Sequence, residues 1–175
     1  MVARRKAAPE PARDNAVLPT VELPSSITRH SSRLFSWRVR VYHEDTDGTG
    51  LVYHANYLKF LERARTEWLR ALGFEQPDLA ARHNTGFVVS ALSIEYAIPA
   101  RFNDELVVTV ELAELRGGQI LLAQRITRGG EEIATASVRI VCINTESFRP
   151  VRIPGGVAEA LARYAVGREA IEDPE

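Results

Sequence analysis

The side chains best equipped for chemistry in this 175-residue chain are crowded into one stretch, Tyr42 to Tyr57, reading YHEDTDGTGLVYHANY. It gathers Glu44, Asp45, Asp47, His43, His54, Tyr53 and Tyr57 beside Tyr42. Short acidic and hydroxyl side chains interleaved with Gly48 and Gly50 make a loop that turns sharply and presents carboxylates. A helix follows. Its first N–H groups and positive dipole end fall near His54 and Ala55, where they can hold a carbonyl oxygen as negative charge develops on it. An aspartate on the preceding loop could then attack that carbonyl or orient a water, which is acyl chemistry. Two plainer readings compete. Asp45 and Asp47 could simply cap turns. Alternatively, Asp45, Asp47, Thr49 and Gly50 match the first, third, fifth and sixth positions of a calcium-binding EF-hand loop, but the twelfth is Asn56 instead of Glu and a strand precedes the loop.

Elsewhere the chemistry thins out. The chain has no P-loop, GxSxG elbow, HExxH or CxxC, and His30, His43, His54 and His83 show no ligand spacing with Cys142, so neither metal nor redox cofactor is expected. Glu62 and Glu67 sit among Arg63, Arg65 and Arg70, which favours surface pairing. Arg101, Arg116, Arg125 and Arg128 could meet a phosphate, though solvation is the ordinary fate of any one of them. Cys142, in the apolar run VRIVCI, reads as a small buried hydrophobe, and Trp68 as core.

The elements that must position the loop are legible from period. Ser36 to His43 alternates, with Trp37, Val39 and Val41 on one face and Arg38, Arg40 and Tyr42 on the other, as a half-buried strand does. From Ala55 to Leu72, Tyr57, Leu58, Leu61, Ala64, Trp68, Leu69 and Leu72 recur at helical spacing, and Gly73 stops the helix. A short helical turn follows around Pro77 to Arg82. Phe87 to Ile98 alternates, with Val88, Ser90, Leu92, Ile94 and Tyr96 against Phe87, Val89, Ala91, Ser93 and Glu95. Leu106 to Leu115, Gln119 to Arg128 and Ile133 to Asn144 are three further strands. Gly117-Gly118 and Gly129-Gly130 are expected to supply positive φ for antiparallel hairpins between them. A short helix, Val157 to Ala165, closes the pattern. One strand, one long helix and four strands in succession make an α+β fold with the helix laid across a single antiparallel sheet, and the hot-dog fold is the arrangement that fits. Such a sheet leaves an edge strand bare, which predicts pairing between subunits.

Composition agrees with one domain of ordinary globular type, at 45% hydrophobic and 26% charged residues. The net charge of -1 offers no field for a nucleic-acid backbone. A single cysteine fits a reducing cytoplasm, and no run approaches a membrane span or an export signal. Residues 1 to 34 read as a disordered tail of net charge +3, carrying four of the nine prolines and no aromatic. Residues 35 to 153 form the domain, and 154 to 175 a short helix with an acidic end.

The stretch VYHEDTDGTGLVYHANY, then FLERARTEWLRALG, then FVV and IEYAIPARFNDEL, closely resembles the acyl-CoA thioesterases of the hot-dog superfamily. The resemblance is to the 4-hydroxybenzoyl-CoA thioesterase type and, within it, the Tol-Pal-associated (YbgC-type) bacterial branch, and it runs from Trp37 to Pro150. It implies that Asp47 is the catalytic carboxylate and that His54 enters the helix with its backbone N–H facing the carbonyl. His43 stands where the family has a tyrosine. Beside these, Tyr53, Ala55, Arg101 and Arg128 are the expected substrate contacts. An acyl-CoA substrate, or an acyl carrier protein, and a homotetramer built from dimers are implied as well, with no cofactor. A binding module that holds acyl thioesters with little turnover is the alternative.

Overall fold

The computed structural model describes residues 34–166, so all but the last residue of the expected tail, and the acidic C-terminal end, lie outside the described residues. Five strands form one sheet: β1 (Phe35–Arg40), β2 (Thr85–Tyr96), β3 (Glu105–Arg116), β4 (Gln119–Arg128) and β5 (Glu131–Asn144). Their spatial order is β1-β3-β4-β5-β2, every neighbouring pair antiparallel. Three helices complete the domain: α1 (Asn56–Ala71), α2 (Gln76–His83) and α3 (Gly155–Val166). This is the expected α+β architecture, with element boundaries within a few residues of those read from period. Among the described residues no helix is long and apolar enough to cross a membrane.

The core lies between α1 and one face of the sheet. Tyr57, Phe60, Leu61, Ala64, Trp68 and Leu69 of α1 meet Val108, Val110, Leu122, Ile126 and Val138 of the strands. The helical stripe was expected to include Leu58, which is instead 37% exposed, while Phe60 is fully buried. The two residues differ by 200° around the helix at 100° per residue, and the sheet lies under the sector that Phe60 occupies. The C-terminal α3 joins the same core through Val157, Leu161 and Tyr164, the last stacked edge-on against Trp68. Cys142 is buried as expected, and burial pushes its thiol above the usual range.

Two corrections concern backbone detail. In β2 the strict alternation breaks at Ser90, where a bulge shifts the pairing with β5 between Val89 and Ala91. Phe87 and Val89 therefore share the helix-facing side with Leu92, Ile94 and Tyr96, opposite Cys142, Ile140, Val138, Ala136 and Ala134. One extra residue on one strand is enough to exchange faces. In the turn between β3 and β4, Gly117 has positive φ but Gly118 does not. A Cβ at Gly118 would run into the Val151 carbonyl, so close backbone approach is what demands glycine there. Gly129 and Gly130 both have positive φ, as the two-residue turn between β4 and β5 requires.

Candidate active site

Between β1 and α1 the chain makes a single 3-10 turn, His43–Asp45, and then a tight hairpin. Thr46 bridges Val52, the Asp47 N–H donates to the Leu51 carbonyl at 2.9 Å, and the Gly50 N–H donates to the Asp47 carbonyl at 3.0 Å. Asp47 sits at the tip. Its Oδ1 accepts from the Thr49 N–H at 2.8 Å and from the Thr49 hydroxyl at 2.5 Å. Oδ2 has no hydrogen-bond donor among the described residues, and the side chain is solvent-exposed. The Thr49 hydroxyl and N–H, followed by the Leu51 N–H and the neighbouring His54, outweigh a smaller desolvation and hold the Asp47 carboxyl below its ordinary value of 3.8. The group is an ionised carboxylate held at the hairpin tip and open to solvent.

Asp45 does the opposite work. It is 3% exposed, its Oδ2 accepts the Tyr42 N–H at 3.0 Å, and its carbonyl accepts the Tyr53 N–H at 2.9 Å and the Asn56 amide Nδ2 at 3.0 Å. It fastens the turn to the start of the helix. With Asp45 turned inward and Asp47 on the surface, the two do not form the paired ligands of a calcium loop. Among the described residues no cluster of three or more His, Cys, Asp or Glu could hold a metal ion.

The start of α1 is pinned on three sides. Asn56 reaches back to Asp45, the buried Tyr57 hydroxyl accepts the Ala100 N–H at 2.9 Å, and the Tyr96 hydroxyl of β2 donates to the His54 carbonyl at 2.9 Å. Burial raises the pKa of both phenols, which keeps them neutral donors and acceptors. Ala100 also accepts the Val52 N–H at 2.9 Å, tying the second arm of the hairpin to the same segment. The N–H groups of His54, Ala55 and Tyr57 have no backbone acceptor among the described residues. Such groups at a helix start are what a developing oxyanion needs.

Of the expected site residues, Asp47, Tyr53, His54 and Ala55 come together around the hairpin and the helix start, the Tyr53 and His54 rings tilted against each other at 4.4 Å. His43 lies on the flank, where its ring stacks in parallel on Phe102 at 3.8 Å. Arg101 is exposed beside the hairpin and bridges Leu51. The Arg128 guanidinium pairs with Asp104 at 2.7 Å and Glu131 at 2.8 Å. Asp104 also accepts the Arg101 N–H at 2.8 Å, so Arg128 braces the loop before β3. Burial of Asp104 raises its pKa, but the Arg128 and Arg101 donors outweigh this and hold it below its ordinary value. Tyr96 was not among the expected site residues. Its partner is 42 residues away in sequence, and no local pattern signals such a contact.

A family model described as the thioesterase-like superfamily matches residues 41–161. The acyl-CoA thioesterase YbgC of Haemophilus influenzae is 44% identical over 127 residues, which is 73% of this chain and 93% of that protein. The long-chain acyl-CoA thioesterase FadM of Escherichia coli is 35% identical over 129 residues, 71% of this chain and 92% of that protein. Among solved structures, a probable thioesterase from Bartonella henselae superposes with a TM-score of 0.67 at 37% identity, covering 69% of this chain and 99% of that one.

Proposed function

Because the chain belongs to the thioesterase-like superfamily and has the hot-dog fold of its relatives, we propose that it is an acyl-CoA thioester hydrolase. The reaction runs between Asp47 and the N-terminus of α1. The observation that supports this reading is the pairing of an exposed carboxylate held by Thr49 with a helix start at which the His54 and Ala55 N–H groups have no backbone acceptor. The thioester carbonyl oxygen lies against the N–H groups of His54 and Ala55, where the helix dipole favours negative charge. Asp47 takes a proton from a water as the water oxygen bonds to the carbonyl carbon. The tetrahedral intermediate collapses, the carbon–sulfur bond breaks, and the proton held by Asp47 passes to the leaving sulfur. The products are the free acid and CoA. His54 and Tyr53 flank the carbonyl, Arg101 lies where an exposed cation can meet the CoA phosphates, and His43 takes the family's tyrosine position from its stack on Phe102.

Subunit pairing extends the site. The edge strand β2 is 12 residues long, carries one charged residue, Glu95, and exposes Val88, Val89, Leu92 and Tyr96. A long apolar edge of this kind is a template for a second strand. We infer a dimer joined along β2, itself the unit of the tetramer that the resemblance implies. Since Tyr96 on this edge touches His54, the partner's strand would border each site. A single cysteine, which leaves no internal disulfide to form, fits work in the cytoplasm, and an acyl carrier protein is the second carrier to test.

The experiment is a panel of acyl-CoA and acyl-carrier-protein thioesters followed by free-thiol release, with sedimentation at the same protein concentration. Turnover supports hydrolysis. Tight binding with no thiol release would replace the hydrolase by an acyl-thioester binding module. Single turnover in oxygen-18 water checks the role of Asp47, since label found in the protein carboxylate would make it a nucleophile instead of a base.

A further inference from the structure

The two peptide units that lead the chain into α1, Tyr53–His54 and His54–Ala55, carry N–H groups without a backbone acceptor among the described residues. They are held in different ways. The Tyr53 carbonyl accepts the Asn56 N–H at 2.8 Å, a bond closed inside the turn itself, and the Ala55 carbonyl likewise accepts the Leu58 N–H at 3.2 Å. The His54 carbonyl between them has no backbone donor among the described residues. Its donor is the Tyr96 hydroxyl, at 2.9 Å, from the last residue of β2. The first unit is thus held by the backbone of the turn, and the second by a side chain of the sheet. Tyr96 is itself well anchored. It pairs with Ala134 of β5, the Ala97 and Ile98 N–H groups after it donate to the Ile133 carbonyl at 2.9 and 3.3 Å, and its ring meets the buried Tyr57 edge-on at 5.4 Å.

The consequence lies across the peptide plane. The His54 carbonyl and the Ala55 N–H belong to one planar trans unit, so they point in opposite directions and turn together. A donor that fixes the carbonyl therefore fixes the N–H. It also polarises the amide, which makes that N–H a stronger donor. Resting on the hydrolase reading above, we propose that Tyr96 is a positioning residue for the thioester carbonyl: its hydroxyl, bound to the His54 carbonyl, aims and strengthens the Ala55 N–H that receives the carbonyl oxygen. Tyr96 acts through the His54–Ala55 peptide and not on the substrate. Its effect grows as negative charge develops on that oxygen, so it belongs to the transition state more than to the bound thioester.

The test compares the full-length protein with Tyr96→Phe, which removes the hydroxyl and keeps the ring against Tyr57. Free-thiol release is followed with the acyl-CoA turned over fastest in the thioester panel, or bound tightest where none is turned over. Binding is measured for two analogues of the same chain that cannot be hydrolysed: the S-alkyl-CoA thioether, which has no carbonyl, and the ketone in which a methylene replaces the thioester sulfur. One orienting hydrogen bond predicts a fall of about tenfold in kcat, short of the roughly 10²- to 10³-fold loss that follows removal of an oxyanion donor itself. Thioether affinity should be unchanged, and the ketone should lose its preference over the thioether. Should Tyr96→Phe fail to fold, tetrafluorotyrosine at position 96 keeps the ring and the oxygen but ionises below neutrality, and kcat should fall by a similar factor as that phenol loses its proton. An unchanged kcat with an unchanged ketone preference overturns the proposal and leaves hydrolysis standing. Equal weakening of ketone and thioether overturns it too, making Tyr96 a packing residue. If the unmodified protein releases no thiol yet prefers the ketone only while the Tyr96 hydroxyl is present, the hydrolase reading falls and the positioning of the carbonyl site stands. If it neither releases thiol nor prefers the ketone, both fall.

Discussion

Substituting the two loop aspartates separately should split activity from stability. In Asp47→Asn the amide oxygen still accepts from the Thr49 N–H and hydroxyl, so the hairpin tip survives while the basic oxygen is lost. Loss of positioned proton transfer costs about 10² to 10⁴ in rate. Asp45→Ala instead removes the acceptor of the Tyr42 N–H inside a turn where Asp45 is 3% exposed. A donor left without its acceptor costs about 1–3 kcal/mol. For a chain of this size each kcal/mol moves Tm by about 2–4 °C, giving a fall of about 2–12 °C. The assays are free-thiol release per mole of folded protein and urea unfolding at one fixed protein concentration, because assembly would make the midpoint concentration-dependent. Asp47→Asn should lose turnover with only a small change in the urea midpoint, and Asp45→Ala should do the reverse. If Asp45→Ala abolished turnover while still folded, and Asp47→Asn retained it, the assignment of roles would be refuted.

Three further expectations follow from the same geometry. Tyr57→Phe leaves the buried Ala100 N–H without an acceptor and should cost about 1–3 kcal/mol in urea unfolding, with the slope of the transition unchanged. Because donors from Thr49 hold the Asp47 carboxyl below 3.8, the acid limb of kcat/KM should lie below that pH, and Thr49→Val should move the limb upward by removing the hydroxyl that favours the ionised form. By the same sign, stability gained from the lowered Asp47 value is present above the unfolded pKa and is lost as pH falls through the folded one; a limb that moved down in Thr49→Val would contradict this. Leu92→Lys puts a charge on the exposed β2 edge and should shift sedimentation toward the monomer, and an unchanged oligomer would rule out that edge as the seam.

The local periods were enough to establish the long helix, the five strands and their antiparallel hairpins, because each depends on residues a few positions apart. The segment from Tyr42 to Tyr57 was legible as the candidate site for the same reason: its acids, glycines and helix start are neighbours in sequence. Other features needed the folded chain. Asp45 and Asp47 have the same side chain two residues apart, and only the turn's packing sends one into the interior and leaves the other at the surface. Arg128 and Arg101 read alike as exposed cations, and only the fold shows that Arg128 is paired with Asp104 and Glu131. The helix-facing side of β2 depends on an extra residue at Ser90, a property of its pairing with β5 and not of β2 alone. The clamp from Tyr96 to His54 joins positions far apart along the chain. Short-range periodicity records which side a residue turns toward within its own element, whereas partner choice across elements is fixed only when those elements pack against one another.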